Sequence, residues 1–178
     1  MSEEQRLLEG ARNLHTQVLA KIYDDYSPGV YRYAVRLLGD QNLAEDCVAE
    51  TFVRFLQALH RKRGPREHLS AYLYRIAHNW IIDYYRSRQP ETELVDTIAS
   101  DQNSPELDAS DRIRRHRIRA AIRELTPDQQ LVIALKYLEG WENAEIADAL
   151  RKPVGAVKSL QHRALAALRK RLQKEKLE

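Results

Sequence analysis

At 178 residues, 43% hydrophobic and 31% charged, with only six Gly and six Pro, the chain has room for one ordinary domain or two small ones. Its formal net charge of +3 is too small to name a partner, and its single cysteine, Cys47, excludes an internal disulfide framework. No apolar run is long enough for a signal peptide or a membrane span, so a cytoplasmic protein without membrane insertion is expected.

In chain order, the leader Met1 to Thr16 offers a helical turn or two with Leu7, Leu8, Ala11 and Leu14 as its apolar side. Tyr23 to Leu38 places Tyr23, Tyr26, Val30, Tyr33 or Ala34, and Leu37 on one helical face, and Gly39 with Asp40 supplies a stop and restart. Asn42 to Leu59 repeats the pattern through Ala44, Val48, Phe52, Phe55 and Leu59, which makes Cys47 a core residue rather than a redox sensor. After a basic loop from His60 to His68, a third helix over Leu69 to Tyr85 carries Leu69, Leu73, Ile76, Trp80 and Tyr84.

Charge is distributed unevenly along this path. Arg61, Lys62, Arg63, Arg66, Arg75, Arg86 and Arg88 face only Glu67 and Asp83 over residues 61–88, whereas residues 89–111 hold seven acidic residues and no Lys or Arg. With Pro90, Pro105 and few large apolar groups, this acidic stretch cannot offset the entropy of ordering and reads as a flexible linker. Beyond it, Asp111 to Leu125 is amphipathic through Ile113, Ile118, Ile122 and Leu125. Thr126 then caps a helix with Pro127 at its first position, running to Leu138 and ending at Gly140. The expected fold is all-α: an N-terminal helical bundle over 1–88, the linker over 89–111, and a C-terminal helical domain over 112–178.

That last domain carries the most specific pattern. A short helix from Asn143 to Leu150, a break at Arg151, Lys152 and Pro153, and a longer basic helix with Val157, Leu160, Ala164, Leu168 and Leu172 inward make a helix-turn-helix. Gly155 and Ser159 permit close approach to a major groove, and Lys152, Lys158, His162 and Arg163 supply contacts to phosphates and base edges. A stand-alone helix-turn-helix regulator, its N-terminal bundle sensing a ligand or dimerising, explains this half equally well. It leaves unexplained the second basic and aromatic helix around Arg75 to Arg88. An enzyme is not expected. His15, His60, His68, His78, His116 and His162 form no recognised ligand spacing, and no cofactor or metal is implied.

The chain resembles the extracytoplasmic-function (ECF) class of sigma factors over nearly its whole length. Leu43 to Phe52 is similar to the family segment that docks on the clamp helices of core RNA polymerase, which implies Asp46, Glu50 and Phe52 near the contact. Leu73 to Arg86 is similar to the helix that reads and melts the minus-ten promoter element, implying Arg75, His78, Asn79, Trp80, Asp83, Tyr84, Arg86 and Arg88 as DNA contacts. For Trp80 a packing role competes, since it shares a stripe with Leu73 and Ile76. The family often has Arg at the position of His78, so a backbone contact that is weaker or dependent on pH is expected there.

Glu145 to Ser159 resembles the module that binds the minus-thirty-five element, implying Lys152, Gly155, Lys158, Ser159, His162 and Arg163. Arg151 stands where the family usually has Gly. Promoter DNA, the polymerase clamp helices and flap, and an anti-sigma protein are the partners the resemblance implies. The acidic linker would either enter a basic channel that later accepts RNA or serve as a solubilising tether.

Overall fold

A computed structural model describes residues 1–88 and 108–174. Among them are eight α-helices and no strand: α1 (Glu3–Arg12), α2 (Thr16–Leu38), α3 (Gln41–His60), α4 (Leu69–Ser87), α5 (Ala109–Arg123), α6 (Pro127–Ile133), α7 (Asn143–Leu150) and α8 (Val154–Lys174). The all-α reading holds. Most of the acidic linker lies outside the described residues, but its last part is helix rather than linker. Asp108 accepts a hydrogen bond from the Asp111 amide at 2.9 Å and so caps α5, a polar residue starting a helix where composition alone suggests a loop.

The leader forms the first helix of the N-terminal bundle, longer than the turn or two expected. Ser2 and Gln5 form a capping box, and α1 buries Leu7, Leu8 and Ala11, while Leu14 falls outside the helix at φ 55° and is exposed. In α2 the inward residue is Ile22, not Tyr23, which is 47% exposed and packs in a T-shaped pair with Phe52, ring centroids 4.8 Å apart. Gly39 ends α2 in the left-handed region at φ 71°, and Asp40 caps α3 by accepting from the Leu43 amide at 3.0 Å. Cys47 is buried, and that burial pushes its thiol up to about 12, as suits a core residue.

In the C-terminal half, Thr126 and Gln129 form a second capping box with Pro127 at the first helical position. The expected single helix to Leu138 is α6 followed by a π-helical turn, Ala134–Leu138, in which the Glu139 amide reaches back to Ala134 at 3.1 Å. Ile113 and Ile118 are exposed, so the inward face of α5 begins only at Arg119, Ala121 and Ile122.

The two halves share one apolar cluster, running from Leu8 and Tyr33 through Leu73 to Val132, Ile146 and Val157. Polar groups close the junction. Arg36 donates to the Leu138 carbonyl and pairs with Glu139 at 3.3 Å, and Tyr74 Oη donates to the same carboxylate at 3.0 Å. Arg119 donates to the Arg36 carbonyl at 3.2 Å, and its guanidinium lies 2.6 Å from where a Cβ on Gly39 would stand. A side chain at position 39 would have to displace the Arg119 guanidinium and hold a left-handed φ of 71°.

Candidate nucleic-acid interface

Helix α4 presents three kinds of surface. Asn79, Asp83 and Arg86 are exposed and recur at spacings of four and three, so they form one solvent-facing stripe. Beside it Trp80 stacks on Tyr84, centroids 5.6 Å apart and planes 14° apart, and the Arg88 guanidinium lies 4.8 Å from the Tyr84 ring centre. Trp80 is partly buried, which fits its dual reading. Tyr85 turns inward instead, donating to the Leu37 carbonyl at 3.0 Å beneath Arg123.

The third surface is turned into the molecule. Arg75 donates to the Ala149 carbonyl, and His78 is only 2% exposed, its Nδ1 2.8 Å from Tyr33 Oη and its Nε2 3.1 Å from the Pro127 carbonyl. A carbonyl only accepts, so Nε2 carries the proton and Nδ1 accepts from the tyrosine. Burial lowers the ring to about 4, so it is neutral near pH 7. In this arrangement His78 is therefore not a pH-dependent surface contact, as its place in the sequence suggested. It is a buried joint between the halves.

The helix-turn-helix has the opposite character. Helix α7 starts at a Glu142–Glu145 capping box and ends at Arg151, which takes the left-handed conformation, φ 51°, usual for glycine. Val157, Gln161 and Ala164 face inward on α8, with Gln161 donating to Asn143 at 2.7 Å across to α7. Gly155, Lys158, Ser159, His162 and Arg163 are all exposed, and a Cβ on Gly155 would meet nothing within 4 Å. Lys152 is half-buried and pairs with Asp128 at 3.4 Å.

On α3, Asp46 is exposed and Glu50 pairs with Arg54 at 2.7 Å, but Phe52 is packed inside. The outward apolar residues are Val53 and Leu56, 46% and 37% exposed. Sequence reasoning passed over both, although they lie off the inward stripe of Ala44, Val48, Phe52, Phe55 and Leu59. Among the described residues no cluster of three or more metal-ligating side chains occurs, and no helix is long and apolar enough to cross a membrane.

A helical bundle with a basic aromatic helix, joined in one chain to a helix-turn-helix, defines a two-module DNA-reading protein. The family models for Sigma-70 region 2 and Sigma-70 region 4 match residues 22–91 and 115–168. The chain is 34% identical over 170 residues to the ECF RNA polymerase sigma factor SigL of Mycobacterium tuberculosis, covering 93% of this chain and 95% of that one. It is 32% identical over 166 residues to the ECF sigma factor BldN of Streptomyces coelicolor, spanning 91% of this chain but 63% of the Streptomyces protein. The fold is that of CnrH, solved in complex with the cytosolic domain of CnrY, at a TM-score of 0.67 and 23% identity over 97% of this chain and 99% of that one. The chain belongs to the ECF sigma factors of the sigma-70 family. That membership removes the stand-alone regulator as its reading.

Proposed function

We propose that this sigma factor binds core RNA polymerase through the outer face of α3 and reads two promoter elements, one with α4 and one with α8. Asp46, Glu50 and Val53 form the docking stripe, with Leu56 beside it. Asn79, Asp83 and Arg86, flanked by the Trp80–Tyr84–Arg88 stack, take the melted minus-ten strand, where an aromatic face holds a base that has left the helix. Lys158, Ser159, His162 and Arg163, with Lys152 beside them and Gly155 allowing close approach, enter the major groove of the minus-thirty-five element. Arg75 joins the first set only when it leaves the Ala149 carbonyl. None of these roles requires the chain to make or break a covalent bond, and they place it in the cytoplasm. An anti-sigma protein is the partner that would oppose polymerase for α3.

The observation that carries this reading is the solvent-facing stripe of α4 beside an aromatic and basic stack, in the same chain as an unobstructed recognition helix. A simple helix-turn-helix regulator needs only the second. Transcription in vitro from a pooled promoter library, with bacterial core polymerase and with or without this protein, tests it. Initiation that depends on the protein and is lost in both Asn79→Ala and Arg163→Ala is expected. Unchanged initiation in Asn79→Ala would remove α4 from the reading.

A further inference from the structure

Each half of the molecule supplies one of the two partners that hold the His78 ring. Tyr33 Oη, from α2, donates to Nδ1 at 2.8 Å, and Nε2 donates to the carbonyl of Pro127, the first residue of α6, at 3.1 Å. The ring also stands edge-on to Tyr33, with centroids 6.2 Å apart. One donor and one acceptor, both engaged, is the complete bonding pattern of a neutral imidazole. Imidazole is the side chain that ordinarily changes charge between pH 5 and 8, and here one is built into the seam between the halves.

A second proton has no place in this seam. It would sit on Nδ1 and face Tyr33 Oη, whose own proton would then need another acceptor at a fully buried position. The charge would be buried too, at a cost that only a well-placed counter-charge offsets. From α6, Asp128 favours the charged ring, but its carboxylate is paired with Lys152 at 3.4 Å. From α3, Cys47 donates to the carbonyl of Ala77, next to His78, and burial holds its thiol up at about 12. Glu139, after the π-helical turn, acts on Tyr33 and Tyr74 and is paired with Arg36 at 3.3 Å. Arg75, three residues before His78 on α4, is turned to the Ala149 carbonyl. Burial holds Tyr33 well above its ordinary value, so it stays neutral in acid.

We propose that the two halves form an acid-sensitive latch, closed over a neutral His78 and opened when the ring takes up a proton and is released to solvent. The sign follows from burial. In the closed form burial outweighs the Pro127 bond and Asp128 and holds the ring at about 4, whereas a ring freed to solvent returns toward its ordinary 6.5. The open form binds the proton more tightly, so the contribution of His78 to closure is fully present above pH 6.5. It weakens about tenfold for each unit of pH below that, until about pH 4. The latch concerns the two halves alone and does not rest on the promoter reading; under that reading, opening also frees Arg75 from Ala149.

The test is single-molecule energy transfer in the full chain, with dyes on Glu9→Cys and Lys170→Cys, exposed positions in the two halves. Cys47 is buried and stays unlabelled. From roughly pH 7.5 to 5.5 the ratio of open to closed molecules is expected to rise about tenfold, with helical circular dichroism unchanged. His78→Gln keeps a donor for the Pro127 carbonyl but takes up no proton, so its ratio should change less than about twofold. His78→Arg carries its charge at both pH values and should be open at both, which keeps the latch testable if the glutamine variant does not fold. A wild type that stays closed at the lower pH, an equal rise in His78→Gln, loss of helix in step with the rise, or a closed His78→Arg would each overturn the proposal.

Discussion

The two helices proposed to read DNA are held in opposite ways. On α8 the residues proposed to enter the groove all point to solvent, and only the inward stripe is tied to the rest of the chain. On α4 the proposed contacts are divided: Asn79, Asp83 and Arg86 are free to meet a strand, while Arg75 and His78 are engaged by the other half. A recognition helix of the first kind is ready to bind as it stands. One of the second kind changes its available chemistry whenever the junction opens, so the junction is where the comparison can be broken.

The largest expected effect comes from His78. Between the ring's ordinary 6.5 and its buried value of about 4, the unfolded chain takes up a proton that the folded chain refuses, so stability falls as pH drops through that window. The loss reaches about 3 kcal/mol at the acid end. Urea unfolding at several pH values should show this slope in the wild type and a flatter one in His78→Asn; equal slopes would mean that the ring is not held neutral.

Next, the double variant Lys158→Ala, Arg163→Ala should lose about 2 kcal/mol of affinity, roughly thirtyfold, for a duplex carrying the minus-thirty-five element. Its thermal stability should stay unchanged, since both side chains are exposed. Anisotropy titration reads the first and calorimetry the second. Loss of stability together with affinity would move these residues into the fold.

Glu139→Gln comes third. It keeps an acceptor for Tyr74 but removes the charge that faces Arg36, and should cost about 1 kcal/mol while leaving α8 binding to duplex DNA unaltered. Hydrogen exchange at Arg36, Tyr74 and Trp141 should rise together. If duplex binding weakens in step, the two helices are not independent.

The smallest effect is expected at Gly155. Alanine there meets open space and suits a helix, so Gly155→Ala should raise stability by about 0.5 kcal/mol while weakening duplex binding through its added methyl group. A gain in stability with no change in binding would show that α8 does not approach the groove at this point.

Much of this was open to reading from local chemistry. Gly39 before Asp40, Thr126 before Pro127, and Gly140 after Leu138 place helix ends through the conformations and caps those residues favour, and each lies where expected. The α8 face was legible for the same reason. Its residues project from one helix whose inward stripe is set by Val157 and Ala164, so exposure follows from helical spacing.

Only the tertiary structure decided what α4 offers. Nothing near Arg75 or His78 in the chain distinguishes them from Asn79 or Arg86, because the carbonyls that engage them belong to Ala149 and Pro127, 74 and 49 residues away. On α3, by contrast, helical spacing already separates Phe52, on the inward stripe, from the exposed Val53 beside it. Helical spacing says which residues share a face. What covers that face depends on segments distant in the chain, and hydrophobic and hydrogen-bond gains are realised only once those segments have closed over it.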